Sequence, residues 1–205
     1  MPNTIRKRSL TPLVLIAIVS LAPVVLATLA YFLPSLGLRP AESSNYGTLL
    51  KQQPVLETAP ANFNTLNGEP FDLESLRGKW VLLSVDSGQC DEACVRKLFI
   101  LRNSHASQGK NVDRIARVWL VTDDATPEQS LQDAYVGTRI LRTDQDSAAA
   151  LLAPSIAPEQ QGAYLQAGMW IIDPLGNLML EFPPNADPLK VRKDISKLLY
   201  HSRIG

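Results

Sequence analysis

The chain has 205 residues, with 20 basic and 20 acidic side chains and so no net charge. That balance excludes the basic surface a nucleic-acid binder needs, and no nucleic-acid partner is expected. The length suits one domain of about 100–150 residues plus an accessory segment, and the sequence shows no internal repeat or low-complexity tract.

In chain order, Arg6, Lys7 and Arg8 precede Leu13–Leu33, a run without a charged residue. About 20 apolar residues cross a bilayer as a helix, and such a helix tolerates Pro23 with a kink. The basic cluster sets the N-terminus in the cytoplasm and everything after Pro34 on the far side. A cleaved signal peptide is the alternative. Its apolar core is usually about 7–15 residues and ends at a small-x-small site, for which Thr28-Leu-Ala30 is a poor match. The expectation is therefore a cytoplasmic N-terminus at 1–11, an uncleaved transmembrane anchor at 12–34, a linker at 35–62 and an exported domain at 63–205. Pro40, Pro54 and Pro60 interrupt the linker, whose polarity has no steady period. In a bacterium this is a single-pass inner-membrane protein with its C-terminal domain in the periplasm, where disulfides persist or are managed by dedicated enzymes.

Phe63-Asn-Thr-Leu-Asn-Gly-Glu-Pro-Phe71 reads as a hairpin turning at Asn67-Gly68. Leu73–Arg77 is a short helical turn ended by Gly78. The unbroken apolar runs Trp80–Val85 and Ile115–Val121 have the length and composition of strands buried on both faces. Between them a helix is expected over Glu92–Ser107, with Val95, Leu98, Phe99 and Leu101 recurring at helical spacing. Thr126-Pro-Glu-Gln129 resembles a capping box with proline at the first helical position. Tyr135–Leu141 returns toward a short strand, and Asp146 is expected to cap a helix over Ser147–Leu152. Met169–Ile172 and Leu178–Phe182 form a hairpin across Asp173–Asn177. Asp187-Pro188 starts a last helix with Leu189, Ile195, Leu198 and Leu199 facing inward. Strands alternating with helices argue for a sheet with parallel central strands covered by helices.

The two cysteines, Cys90 and Cys94, lie in Val85-Asp-Ser-Gly-Gln-Cys-Asp-Glu-Ala-Cys94 at the end of the first central strand. Thiols at a strand-to-helix junction can form a disulfide, attack one, or hold a soft metal. The thiolate is both nucleophile and ligand. A helix N-terminus favours it through unpaired N–H groups and the dipole, while Asp91 and Glu92 oppose it. A plain stabilising bridge is the competing reading, but a bridge closing so short a loop adds little on loop-entropy grounds. Two thiolates suit Cu(I). The other donors fit less well: Met169 reads as a core methionine at a strand start, His105 lies about three turns beyond Cys94 on a helix surface, and His201 is in the C-terminal tail. Asp86, just before the motif, is a candidate local proton acceptor. Trp80, Trp119 and Trp170 fall in strands and read as sheet residues.

The order of elements, with the cysteines just after the first central strand, is that of a thioredoxin-like domain. Four features resemble the Sco/SenC proteins of cytochrome c oxidase assembly. They are Asn67-Gly-Glu-Pro-Phe-Asp-Leu73 with Leu76-Arg-Gly-Lys-Trp-Val-Leu-Leu83, the three-residue interval of Cys90-Asp-Glu-Ala-Cys94, the late Trp170-Ile-Ile-Asp-Pro-Leu-Gly-Asn177, and the single N-terminal anchor. The resemblance implies a Sco-type α/β fold, a central mixed sheet flanked by helices. It also implies that Cys90 and Cys94 form the redox-active or copper-binding pair, with Cys90 in the loop just before the helix, where a bridge to Cys94 is feasible.

Two departures bear on function. The Sco proteins complete a copper site with a histidine shortly before the late hairpin. Counting back from Asp173-Pro174 puts that position near Leu165, and Tyr164-Leu-Gln-Ala-Gly168 holds no histidine. The proline that follows the second Sco cysteine is here Val95, and the proline that thioredoxins place before the corresponding strand is missing from Ala167-Gly-Met169. The resemblance then favours thiol–disulfide exchange in the assembly of an oxidase copper site. Cys90 would be the attacking and Cys94 the resolving thiol, and the partner an oxidase subunit or a Sco-type chaperone. Such a protein would be a thiol–disulfide oxidoreductase without a bound cofactor. Carriage of Cu(I) by Cys90 and Cys94, or a scaffold that needs no thiols, are the alternatives. A peroxidase is disfavoured because no Pro-x-x-x-Thr-x-x-Cys pattern leads to Cys90.

Overall fold

The computed structural model describes residues 10–33, 45–60 and 62–204. Residues 1–9 of the expected N-terminal arm and 35–44 of the expected linker lie outside them. The chain divides into two units, residues 1–44 and 45–205. The first contains helix α1 (Thr11–Phe32), which is long and apolar enough to cross a membrane and buries none of its side chains in the protein. Pro12 opens it and Pro23 sits inside it.

The second unit is a seven-stranded mixed sheet in the order β1-β7-β6-β3-β4-β5-β2. Its strands are β1 (Thr48–Pro54), β2 (Asn64–Thr65), β3 (Trp80–Asp86), β4 (Ile115–Val121), β5 (Thr138–Arg142), β6 (Met169–Ile172) and β7 (Asn177–Phe182). Strands β3, β4 and β5 are parallel neighbours, and β6, β7, β1 and β2 add antiparallel pairs. The helices are α2 (Glu92–Ala106), α3 (Gln129–Ala134), α4 (Gln145–Leu152), α5 (Pro158–Ala167) and α6 (Pro188–His201). A 3-10 turn covers Leu73–Leu76.

Every residue of β3 and β4 is buried, as their unbroken apolar runs require of strands covered on both faces. Strand alternation divides them. Val81, Leu83, Val85, Val118 and Leu120 join the core that contains residues of α4 and α5. Trp80, Leu82 and Ile115 join the opposite core with Ile100 and Leu101 of α2 and Ile195 of α6. The same period puts Ser84 and Asp86 on the α2 side of β3, so an acid at the strand end is carried under the helix that follows the cysteines.

Several elements depart from the sequence expectation. Residues 48–54, inside the segment read as linker, form the edge strand β1, paired antiparallel with β7. Its alternation is masked because only Leu50 and Gln53 are half-buried. Just before it, the backbone N–H groups of Tyr46 and Gly47 donate to Asp194 Oδ2 of α6 at 2.7 and 2.9 Å. The domain thus begins near residue 45, not 63. Thr126 does not cap α3: that helix starts at Gln129 after Glu128, without a side-chain cap. Asp144, not Asp146, caps α4, accepting from the Ser147 N–H at 2.7 Å. On α2 the buried set is Cys94, Lys97, Leu98, Ile100, Leu101 and Ser104, while Val95 and Phe99 are exposed. On α6, Leu189 is exposed, Leu198 is half-buried, and Val191 and Asp194 are buried instead. Helix α5 falls where no helix was expected, since its sequence Pro-Glu-Gln-Gln-Gly-Ala-Tyr-Leu-Gln-Ala buries only Leu165 and has no apolar period.

The hairpin at Asn67-Gly68 is present. The Thr65 N–H donates to Glu69 O at 2.8 Å and the Phe71 N–H to Phe63 O at 2.8 Å, and Gly68 takes the positive φ of 82° that the turn needs.

Candidate functional site

Strand β3 ends at Asp86, and a four-residue loop leads to Asp91, the N-cap of α2. The Asp91 carboxylate accepts the Cys94 N–H at 2.9 Å, so the acid beside Cys90 is engaged in starting the helix. Cys90 stands outside the helix with φ 47°, a left-handed conformation rare for a residue with a Cβ. That bend brings it over the first helical turn. Cys90 and Cys94 are joined in a disulfide with Cα atoms 5.1 Å apart, inside the range a bridge spans without backbone movement.

The loop is pinned from the neighbouring β4–α3 connection. The Gly88 N–H donates to Asp123 Oδ1 at 2.9 Å, and a Cβ on Gly88 would lie 2.0 Å from Ala125 O, so only glycine fits there. Burial pushes the Asp123 carboxyl up. The hydrogen bonds from Ser87, Gly88 and Ala125, with Arg142 nearby, outweigh it and hold Asp123 below the usual carboxylate range.

The two sulfur residues differ in access. Cys90 is 9% exposed and Cys94 1%. Both pack in a small apolar cluster with Leu98, Trp119, Val121 and Tyr135. On the open side is a cleft of about 450 Å³ lined by the two cysteines, Asp86, Ala163, Gln166 and Ala167, among others.

Asp86, in the lining of the same cleft, belongs to a buried ion pair. Lys97, one turn beyond Cys94 on α2, places Nζ 2.7 Å from Asp86 Oδ1. The same ammonium donates to Val85 O at 3.0 Å and to Gln166 O at 2.5 Å. All three of its protons are thereby used, and α5 is tied to the end of β3 and to α2. Asp86 Oδ2 has no partner although it is buried. Burial pushes the Asp86 carboxyl up to about 6, against the pull of Lys97.

The other candidate donors are elsewhere. Met169 is 2% exposed in the core between α2 and α6 and does not line the disulfide cleft. His105 Nε2–H donates to Val112 O at 3.1 Å, and burial, with Arg117 nearby, lowers its pKa. His201 is exposed at the end of α6, edge-on to Tyr200. Leu165, near the position of the Sco histidine, is buried in the core on the far face of the sheet; its neighbours Ala163, Gln166 and Ala167 face the cleft. Among the described residues no group of three His, Cys, Asp or Glu side chains is placed to hold a metal ion.

The sequence reading missed Lys97. Two signals point to it: the alternation that carries Asp86 under α2, and the position of Lys97 on the helix face between Cys94 and Leu101.

A family model described as a transmembrane-like, thioredoxin-like, C-terminal domain matches residues 80–202. Among the curated proteins no sequence matches the chain. Solved structures resemble it in fold. The copper-bound ScoI of Bradyrhizobium japonicum is 20% identical with a TM-score of 0.51, covering 67% of this chain and 96% of that one. The copper-bound Sco protein of yeast is 14% identical with a TM-score of 0.53, covering 78% and 96%. BsSco is a member of the Sco family of cytochrome c oxidase assembly proteins in which a disulfide switch was identified. It is 14% identical with a TM-score of 0.50, covering 78% and 98%. The fold is thus the thioredoxin-like fold of the Sco proteins, and with 80–202 matched, the chain belongs to the family of transmembrane-like, thioredoxin-like C-terminal domains.

Proposed function

We propose that this protein is a membrane-anchored thiol–disulfide exchange protein, with Cys90 as attacking and Cys94 as resolving thiol. The observation that carries the reading is the bridge itself: Cys90 and Cys94, 9% and 1% exposed, are linked where they line a cleft that also holds Asp86, whose buried Oδ2 has no partner.

In the reduced protein, the Cys90 thiolate attacks one sulfur of a partner disulfide. A mixed disulfide forms and the partner's other sulfur leaves as thiolate, taking a proton from solvent. Cys94 then loses its proton, and Asp86 is the acceptor this chain provides. The Cys94 thiolate attacks the Cys90 sulfur, closes the bridge and releases the partner cysteine. Two electrons pass from the dithiol of this chain to the partner disulfide, and a second, upstream dithiol restores the reduced form. The N-terminus of α2 favours the thiolates, while Glu92 beside it limits that gain.

The fold shared with Sco proteins supports a setting in cytochrome c oxidase assembly, with a Sco-type chaperone or an oxidase subunit as partner. Arg6, Lys7 and Arg8 before α1 support a cytoplasmic N-terminus, which would put the domain in the periplasm of a bacterium.

Carriage of Cu(I) as cargo is the second reading, favoured by the copper-bound structural relatives. Cys90 and Cys94 would hold it, with any third ligand supplied by the recipient. A Cu(I) competition titration on the reduced full chain, with a Cys90→Ser/Cys94→Ser control, separates the two. Exchange without tight copper binding supports the thiol role. One-to-one binding lost in the control, without exchange, replaces it with copper carriage.

A further inference from the structure

The disulfide cleft does not end at the cysteines. A second cleft of about 210 Å³ adjoins it and shares Ala93, Gln166 and Ala167 with it. Its floor is apolar, from Ile100, Met169 and Ala186, all 2% exposed or less. Its rim on one side is the loop Pro183–Asn185, in which Asn185 takes φ 54°. Its other rim carries Arg96, which is exposed and has no hydrogen bond or ion pair with any described residue. Lys97, the other cation in this wall, is already held by Asp86, so Arg96 is the charge left to meet a ligand.

We propose that this adjoining cleft docks the cysteine-bearing segment of the partner protein. It selects a segment with an apolar side chain and a carboxylate about three to four residues from the reactive cysteine. The proposal rests on the thiol-exchange reading.

The spacing follows from α2. Ala93 lies in the wall the two clefts share, Arg96 is about 4.5 Å of helix rise beyond it and Ile100 about 10 Å, so a peptide running extended from the partner cysteine past Ala93 lies within this stretch at about its third and fourth residues. The polarity of the groove sets the order of side chains. Asp91 and Glu92 are exposed at the helix start beside the disulfide and repel an acid next to the partner cysteine, whereas Arg96 attracts one farther along. The apolar floor takes the side chain between them. Exchange chemistry is unchanged: the partner sulfur bonds to Cys90 and is released when Cys94 closes the bridge. The groove acts by holding the partner sulfur in line.

The test measures exchange between the reduced full chain, in detergent, and short peptides carried as mixed disulfides with a neutral thiol. Each peptide has leucine three and glutamate four residues from its cysteine, on either the N- or the C-terminal side, with lysine-for-glutamate counterparts. Hydroxyethyl disulfide serves as an uncharged reference. The expected result, in one orientation, is at least tenfold faster exchange with the glutamate than with the lysine peptide, and inversion of that preference in Arg96→Glu, each peptide rate taken relative to that of hydroxyethyl disulfide with the same protein. Equal peptide rates in both orientations, while hydroxyethyl disulfide still exchanges, overturn the groove and leave the thiol role standing. No exchange with hydroxyethyl disulfide overturns the thiol role and the groove with it.

Discussion

At Asp86 two effects oppose each other. Burial disfavours the carboxylate, and the Lys97 ammonium at 2.7 Å favours it; burial wins in part and leaves the group at about 6 against an ordinary 3.8. Above pH 6 Asp86 is ionised and can take the Cys94 proton; below it the acceptor is filled. The closing of the Cys90–Cys94 bridge from a mixed disulfide should therefore slow as pH falls through about 6. Asp86→Asn should remove that limb from the pH–rate profile while leaving the first attack by Cys90 measurable in stopped-flow. Stability carries the opposite sign. The folded protein binds this proton more tightly than the unfolded chain, so Asp86 makes the fold more stable as pH drops from about 6 toward 4 and less stable above. Lys97 is the more damaging residue to remove. Lys97→Ala leaves a buried carboxylate without its cation and frees the Gln166 carbonyl from its donor. Loss of one partner of a buried pair costs on the order of 3–5 kcal/mol, readable as a lower denaturation midpoint that acid partly restores as Asp86 becomes neutral.

At the scale of elements, caps decide boundaries that apolar pattern leaves open. Both Asp144 and Asp146 precede the apolar run of α4, and only Asp144 bonds the Ser147 N–H. Asp144→Ala should cost about 1 kcal/mol of stability and Asp146→Ala well under half of that, by equilibrium urea unfolding. The central strands were legible from sequence because they are buried on both faces, so Trp80–Val85 and Ile115–Val121 read as continuous apolar runs. The cysteine junction was legible because a strand end and a polar helix start frame it. Strand β1 was not, because it sits at an edge with its side chains mostly in water. Helix α5 was not, because tertiary contacts at Leu165 and the Lys97 bond to Gln166, not its own period, hold it in place. The inward face of α2 was partly misjudged because Lys97 and Ser104 are buried there while Val95 and Phe99 are exposed. A buried lysine is invisible to hydrophobic periodicity; only its partner Asp86, placed by strand alternation, explains it.

For the molecule as a whole, an apolar helix precedes a sheet whose edge strand begins within a few residues of the Asp194 clamp on Tyr46 and Gly47. Both cysteines sit at the junction where β3 leads into α2. The central claim is that this junction is a working redox couple, not a permanent staple. The direct measurement is equilibration of the full chain, in detergent, with glutathione buffers of graded potential, read by alkylation of free thiols. A working couple predicts that Cys90 and Cys94 open together in one two-electron transition, with about 30 mV per decade in the thiol–disulfide ratio, in the native protein. A bridge that stays closed at every ratio until denaturant is added would contradict the account and make Cys90–Cys94 a structural disulfide.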